Sequence, residues 1–438
     1  MKQYLVKLKG NTLVQRVLRA IIFGAGGAIV AKGILIIFNI ILARILNTTE
    51  YGVYSIVNNT VQTFTIFAGA GLGSTLSRYV ALYRNKDKKL AGIIIKTLLV
   101  FNVFISIAVS LVMFFAASWI SALISEEVDI SNYLRITSLT IFFTSVALIL
   151  QGTLQGFEKY NKIATYQLVS SVAMLVIGVI IAYHFKTVGA IIALLIQNLL
   201  MAILFFMVLK NVLIKKRIKL KFCINGTVKE AIRNVAIPAL LSSIFVVPIV
   251  WVTNSIFTKS NSYEEFAAFS VCLQWFTILN YIPQQLGQVR PIYTQLFDEN
   301  KMVEFKKISY KMILFSALFT FIMSTLLGIF SGLLLKMYGD YYTDYSLPFI
   351  VMLIAAVMYS IQSQFGSIFY AIGRIWLSFI LNVVWAIIFI VCFFILQENG
   401  AIGYALAYLI SYLLYSAISF IFFRITVKRK KLSGDTLQ

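Results

Sequence analysis

The apolar run "FGAGGAIVAKGILIIFNIILARIL" (residues 23–46) carries an ammonium, Lys32, near its middle, and an amide, Asn39, seven residues on. A charge at the centre of a spanning helix costs about 2.5–3.5 kcal/mol on insertion scales. No acid in the run offsets it. Its chemistry is that of a cation that needs an anion or water, with extension to a membrane surface as the rival. Other polar side chains recur at helical spacing. They are Asn58, Gln62 and Thr65; Ser243 and Asn254; and Gln274, Thr277, Tyr281, Gln284 and Gln288, leading to Arg290. Such groups bond either to one another across helices or to water and a hydrated ligand. Other chemistries lack their residues. None of the 16 acids falls mid-span, and a single histidine, His184, makes no imidazole cluster. Cys223, Cys272 and Cys392 are scattered without CxxC spacing and read as reduced thiols. No metal site, catalytic residue or cofactor is expected.

The elements that must position these groups are membrane helices. The 438 residues are 60% hydrophobic and only 12% charged, with a mean hydropathy of +0.89. A soluble chain carries about 25% charged residues. Apolar runs long enough to span lie near 21–46, 52–71, 91–116, 136–155, 163–184, 188–209, 235–257, 266–286, 309–333, 347–371, 375–396 and 401–423. The first is too long for a cleaved signal peptide and eleven more follow it. With the N-terminus inside, 31 of the 38 basic residues fall on the cytoplasmic side. Five (Arg44, Arg135, Lys186, Lys259 and Lys336) fall outside, and Lys32 and Lys96 lie within spans. That asymmetry orients twelve spans with both termini cytoplasmic. The formal charge of +22 is then met by anionic membrane lipids, and nucleic acid is not needed as a partner. Lys96, a turn into its span, is expected to snorkel.

The chain also repeats itself. "EYGVYS" (50–55) matches "EFAAFS" (265–270) at an offset of 215. "LGSTLSRYVALY" (72–83) matches "LGQVRPIYTQLF" (286–297), and "GAIIALLI" (189–196) matches "GYALAYLI" (403–410), both at 214. The shift carries the second span onto the eighth and the sixth onto the twelfth. The expected fold is an all-α integral membrane protein of twelve transmembrane helices, in two six-helix lobes related by a parallel 6+6 repeat around a central cavity. The expected divisions are a basic N-terminal segment 1–20, an N-lobe 21–209, a basic linker 210–234, a C-lobe 235–423 and a basic tail 424–438. All five prolines lie in the second half. Pro238 and Pro248 are expected to kink the seventh span. The glycines of "GAGG" (24–27) and Gly33 either soften the first span or thin it for close packing. Tyrosines 404, 408, 412 and 415 form a stripe on the last span that reads as packing rather than a sugar platform.

"ARILNTTEYGVYS" (43–55), "GLGSTLSRYVALY" (71–83) and "LQGFEKYNKIATYQLVSSVAMLVIG" (154–178) resemble bacterial polysaccharide transporters. These are the oligosaccharide flippases of the multidrug/oligosaccharidyl-lipid/polysaccharide exporter superfamily. The resemblance implies two six-helix bundles that alternate between inward and outward openings. It also implies a cationic cavity, an undecaprenyl-pyrophosphate-linked oligosaccharide as cargo, and polysaccharide assembly enzymes as partners. On that reading Lys32 meets the pyrophosphate at mid-membrane. Arg290, with Arg78 and Arg374, gathers the head group at the cytoplasmic mouth, and Asn39, Asn58, Gln62, Asn254, Gln274 and Gln284 supply hydrogen bonds to sugar. Drug-exporting relatives often place a carboxylate in the first or seventh span, and this chain has none there. A multidrug or amphiphile antiporter is the alternative. A polymerase or glycosyltransferase is disfavoured, because the longest outer stretch, 117–135, offers little beyond "EEVD".

Overall fold

The computed structural model describes residues 30–124, 128–237, 240 and 246–435. "GAGG", Pro238, Ser243, Glu126, Glu127 and the basic N-terminal segment lie outside these. All regular structure among the described residues is helical, as long apolar runs require when the backbone must satisfy its own hydrogen bonds in lipid. Seven helices among them are long and apolar enough to cross a membrane.

The described residues form two compact units that meet at Ala267/Ala268. The first begins with α1 (30–45), then α2 (Thr48–Phe67), α3 (Ala70–Tyr83), α4 (Lys88–Ile124), α5 (Ser131–Gly156) and α6 (Tyr160–Lys216). A short α7 (Gly226–Ala231), a π-turn (Ile232–Ala236) and α8 (Val247–Ser260) follow. Asn47 and Glu50 start α2 with a reciprocal capping box, which satisfies two otherwise unpaired amides. α2 packs against α4, α5, α6 and α8, and α5 packs against α3, α4 and α6. Leu76, Val80, Ile94, Leu98, Leu154 and Phe205 are fully buried in that core. α9 (Tyr263–Leu279) crosses from the first unit into the second. There follow α10 (Tyr281–Gln285), a 3-10 turn (Leu286–Val289), α11 (Arg290–Asp298), α12 (Met302–Ile329), α13 (Ser331–Lys336), α14 (Ser346–Ala371), α15 (Ile375–Leu396) and α16 (Gly400–Asp435). In the second unit α14 packs against α11, α12 and α16, and α15 lies on α16.

Two of the apolar helical stretches turn back on themselves at matching positions. Lys186 breaks α6 at φ 50°, ψ −129°, and Gly400 separates α15 from α16 at φ 60°, ψ −143°, 214 residues later. Just beyond each turn a glycine makes room for the preceding helix. A Cβ on Gly189 would lie 2.4 Å from the Ile181 carbonyl oxygen, and one on Gly403 would lie 1.8 Å from that of Leu396.

Several sequence expectations are corrected. Pro248 sits in the first turn of α8, where a missing N–H costs nothing, so it opens a helix rather than kinking one. The run expected as one span over 266–286 is one apolar stretch, Tyr263–Gln285, with a turn residue at Asn280. Residues expected to be a free linker from 210 continue α6 to Lys216, and 217–225 then run without helix. Among the described residues a Cβ on Gly33 would meet nothing within 4 Å, so none of them packs closely on Gly33. The tyrosine stripe is buried: Tyr404, Tyr408, Tyr412 and Tyr415 are at most 6% exposed. They pack among Phe269, Trp385 and Phe389, with Phe269 stacked on Tyr404 at 4.3 Å.

Candidate substrate-binding residues

In the first unit, Ala31, Phe38 and Leu42 form the buried face of α1, while Val30 and Ile37 are about half exposed. At ~100° per residue, Lys32 and Asn39 fall roughly opposite that exposed ridge. Both are half-buried, and Lys32 makes no ion pair or hydrogen bond with any described residue. Placed so, the ammonium does not share the apolar exposed face of its helix. On α2, Asn58 is half-buried and Gln62 exposed. Thr65 leaves the expected stripe, because its hydroxyl donates to the Val61 carbonyl at 2.7 Å. The neighbouring Asn59 holds a buried Oδ1 with no hydrogen-bond partner among the described residues. The "NN" dipeptide in an apolar run was its signal. Thr60 accepts from the indole N–H of Trp251 on α8 at 2.9 Å.

Asn254 on α8 is wholly buried, so it is part of the packed interior of the first unit. Arg78 stands exposed on α3. Arg84, six residues on and just past the end of α3, is tied instead to the Gly156 carbonyl and to Glu158.

In the second unit, the interrupted stretch α10–α11 is stitched to α14. The Gln364 amide donates to the Pro283 carbonyl at 2.9 Å. Thr294 donates to the Ala371 carbonyl at 2.8 Å. Gln284 reaches the Tyr359 hydroxyl at 3.4 Å. The Arg290 guanidinium donates to Ser367 Oγ at 3.4 Å and lies 4.8 Å from the centre of the Tyr370 ring. Gln284, Tyr359, Arg290, Ser367 and Tyr370 therefore form one polar band, able to offer hydrogen bonds and a cation to an anionic, hydroxylated ligand. Two predicted members are committed elsewhere. Gln274 accepts from Tyr338 at 3.1 Å, and Arg374 donates to Thr426 at 2.9 Å while heading α15. The α14 residues were missed, although "YSIQSQFGSIFY" (359–370) is dense in polar groups for a span.

At the start of α9, the Thr49 hydroxyl donates to Glu264. That bond holds the Glu264 carboxyl below its ordinary pKa. The same crossing is tight along the backbone, since a Cβ on Gly52 would lie 2.0 Å from the Tyr263 carbonyl oxygen.

Seven helices long and apolar enough to cross a membrane, carrying polar bands, make this a multi-pass membrane protein. The family described as "Polysaccharide biosynthesis protein" matches residues 41–347, and the chain belongs to that family. It is 22% identical over 276 residues to the EPS I polysaccharide export inner membrane protein EpsE of Ralstonia solanacearum, covering 62% of each chain. The EpsE of Ralstonia nicotianae is 20% identical over the same length. The match thus spans less than two thirds of these relatives. The fold is similar to that of a multidrug resistance MATE family transporter of the MOP superfamily in its inward-facing conformation, with TM-score 0.75, 14% identity, and 91% of this chain and 95% of that one covered. An outward-facing structure of such a transporter gives TM-score 0.74 at 16% identity, covering 96% and 99%. A MOP superfamily transporter from Pyrococcus furiosus, described as having a binding pocket of reverse polarity, gives 0.74 at 14%, also covering 96% and 99%.

Proposed function

We propose that the protein is a flippase that moves a lipid-linked oligosaccharide, of the undecaprenyl-pyrophosphate type, from the cytoplasmic to the outer leaflet by alternating access. It serves surface polysaccharide assembly in the bacterial cytoplasmic membrane, beside the assembly enzymes that make and use the lipid. On this reading twelve spans form a 6+6 repeat with both termini cytoplasmic.

The observation that carries the proposal is Lys32, a cation of α1 with no partner among the described residues, set away from the exposed apolar ridge of its helix. Low dielectric strengthens its attraction for a pyrophosphate, which cannot cross hydrocarbon unaided. The band at Arg290 supplies a second cation, with hydroxyls for sugar. The family and the EpsE likeness support polysaccharide export as the setting. A multidrug antiporter is the rival that the fold allows. No acid occurs in the described residues of α1 or α8, which removes the usual place for cation coupling.

The test is flipping of a labelled lipid-linked oligosaccharide in vesicles. Lys32→Ala abolishes it at unchanged expression, and Lys32→Arg restores it in part. Normal flipping by well-expressed Lys32→Ala overturns the assignment. Drug resistance conferred on a sensitive host, with no polysaccharide defect on deletion, supports the rival.

A further inference from the structure

α4 is 37 residues long, or ~55 Å at about 1.5 Å per residue, against a hydrocarbon core of about 30 Å. Its exposed apolar side chains begin at Val103 and end at Leu123, a stretch of roughly 30 Å. Its first three to four turns, including exposed Lys96, therefore lie in the headgroup region or beyond.

Along this part of α4 runs the non-helical segment 217–225. Its Lys219 carbonyl sits where a Cβ on Gly92 would come within 2.1 Å of it. Thr97 Oγ1 exchanges hydrogen bonds with both the N–H and the carbonyl of Cys223, each at 3.1 Å. Phe222 meets Phe101 edge-on at 6.3 Å. The strap is thus fixed at three heights, and its far end reaches the edge of the apolar band.

Its side chains alternate. Leu220, Phe222 and Ile224 are 43–50% exposed, and between and before them Arg217, Lys219 and Lys221 are exposed too. Lys96 stands one turn beyond Gly92 on the same helix. No acid occurs from 210 to 229 or from 88 to 101. An extended chain with apolar side chains on one parity and ammonium groups on the other matches a membrane interface, where acyl chains and anionic headgroups meet.

We propose that Lys96, Lys219 and Lys221 form a headgroup site for an anionic phospholipid of the leaflet at the α4 N-terminus, with Leu220, Phe222 and Ile224 set among its acyl chains. The site is separate from cargo binding and does not depend on the flippase reading.

Native mass spectrometry tests it, with the full chain released from bilayers of equal phosphatidylglycerol and phosphatidylcholine. The wild type retains phosphatidylglycerol selectively. K96Q/K219Q/K221Q binds it about a hundredfold more weakly, roughly fivefold for each lysine lost beside an anionic surface. K96R/K219R/K221R keeps it, as does K306Q/K307Q/K311Q, which removes three lysines from α12. If the triple glutamine variant does not fold, K219Q and K221Q singly each show the fivefold loss. Equal retention of both lipids by the wild type overturns the site, as does undiminished phosphatidylglycerol binding by the glutamine variants. So does an equal loss in the α12 variant.

Discussion

The crossing of α3 with α5 in the first unit and that of α10–α11 with α14 in the second lie at matching sequence offsets, and they differ in chemistry. At offsets of 214 and 215, Gly73 and Gly152 correspond to Gly287 and Ser367. A Cβ on Gly152 would lie 2.2 Å from the Gly73 carbonyl oxygen, whereas one on Gly287 would have 3.5 Å to Ser367 Oγ. Leu76, wholly buried, corresponds to Arg290, and Val80 to Thr294. The first crossing is apolar and in backbone contact. The second has opened enough to admit a guanidinium, two hydroxyls and the Tyr370 ring. The two crossings thus differ in what they present: backbone contact and aliphatic side chains at α3 and α5, a cation and hydroxyls at α10, α11 and α14.

The sharpest way to break this comparison is Gly152→Val. The new side chain meets backbone rather than a flexible neighbour, and overpacking costs about 1–3 kcal/mol even where side chains can yield. No folded protein is expected by size-exclusion chromatography, whereas Ser367→Val, its repeat partner, folds. Next is Arg290→Ala, expected to slow transport about tenfold or more through loss of charge-assisted bonds while the melting temperature holds. Leu76→Ala should do the reverse and lower stability by about 2–5 kcal/mol. If both variants merely unfold the protein, the second crossing is packing like the first.

The paired turns offer a smaller test. Lys186 holds a positive φ that glycine adopts freely, at a cost of order 1–3 kcal/mol. Its Nζ also caps the Ile45 carbonyl at 3.1 Å. Lys186→Gly should therefore stabilise by less than that cost, and Gly400→Lys should destabilise, both read by thermal melting. The smallest effect is Glu264. Its lowered carboxyl pKa contributes stability above the ordinary carboxylate value, and that contribution is lost as pH falls through the depressed one. The group is partly exposed, so the contribution is under about 1 kcal/mol. Thr49→Val should flatten the acid limb of the melting-temperature profile, and an unchanged limb removes Thr49 as the cause.

The all-helical, membrane-spanning character was legible because hydropathy is a property of whole segments. The surroundings of Asn254, Gln274 and Arg374 were not legible, because a polar residue in a helix has a known face but an unknown neighbour. Tyr338 and Thr426 lie far off in sequence and absorb two of them. The strap at 217–225 read as a linker, since nothing in "IKLKFCIN" announces that Thr97 will bind it. Asn59, Ser367 and Tyr370 stand in apolar runs, where residue type alone does not tell which polar groups will meet a partner. The interruption near Gly69 had a signal in "GAGLG" (69–73), three glycines in five residues of an apolar run.

That interruption carries a mechanical consequence. Gly69 adopts φ 133°, and the Ala68 carbonyl, released from its own helix, is taken up by Asn102 at 3.1 Å and Ser145 at 2.7 Å. The break in the second unit has its counterpart, with Gln364 holding the carbonyl of Pro283. A rod broken there, with a carbonyl held by neighbouring side chains, has fewer main-chain bonds to give up than an unbroken helix when its two segments reorient.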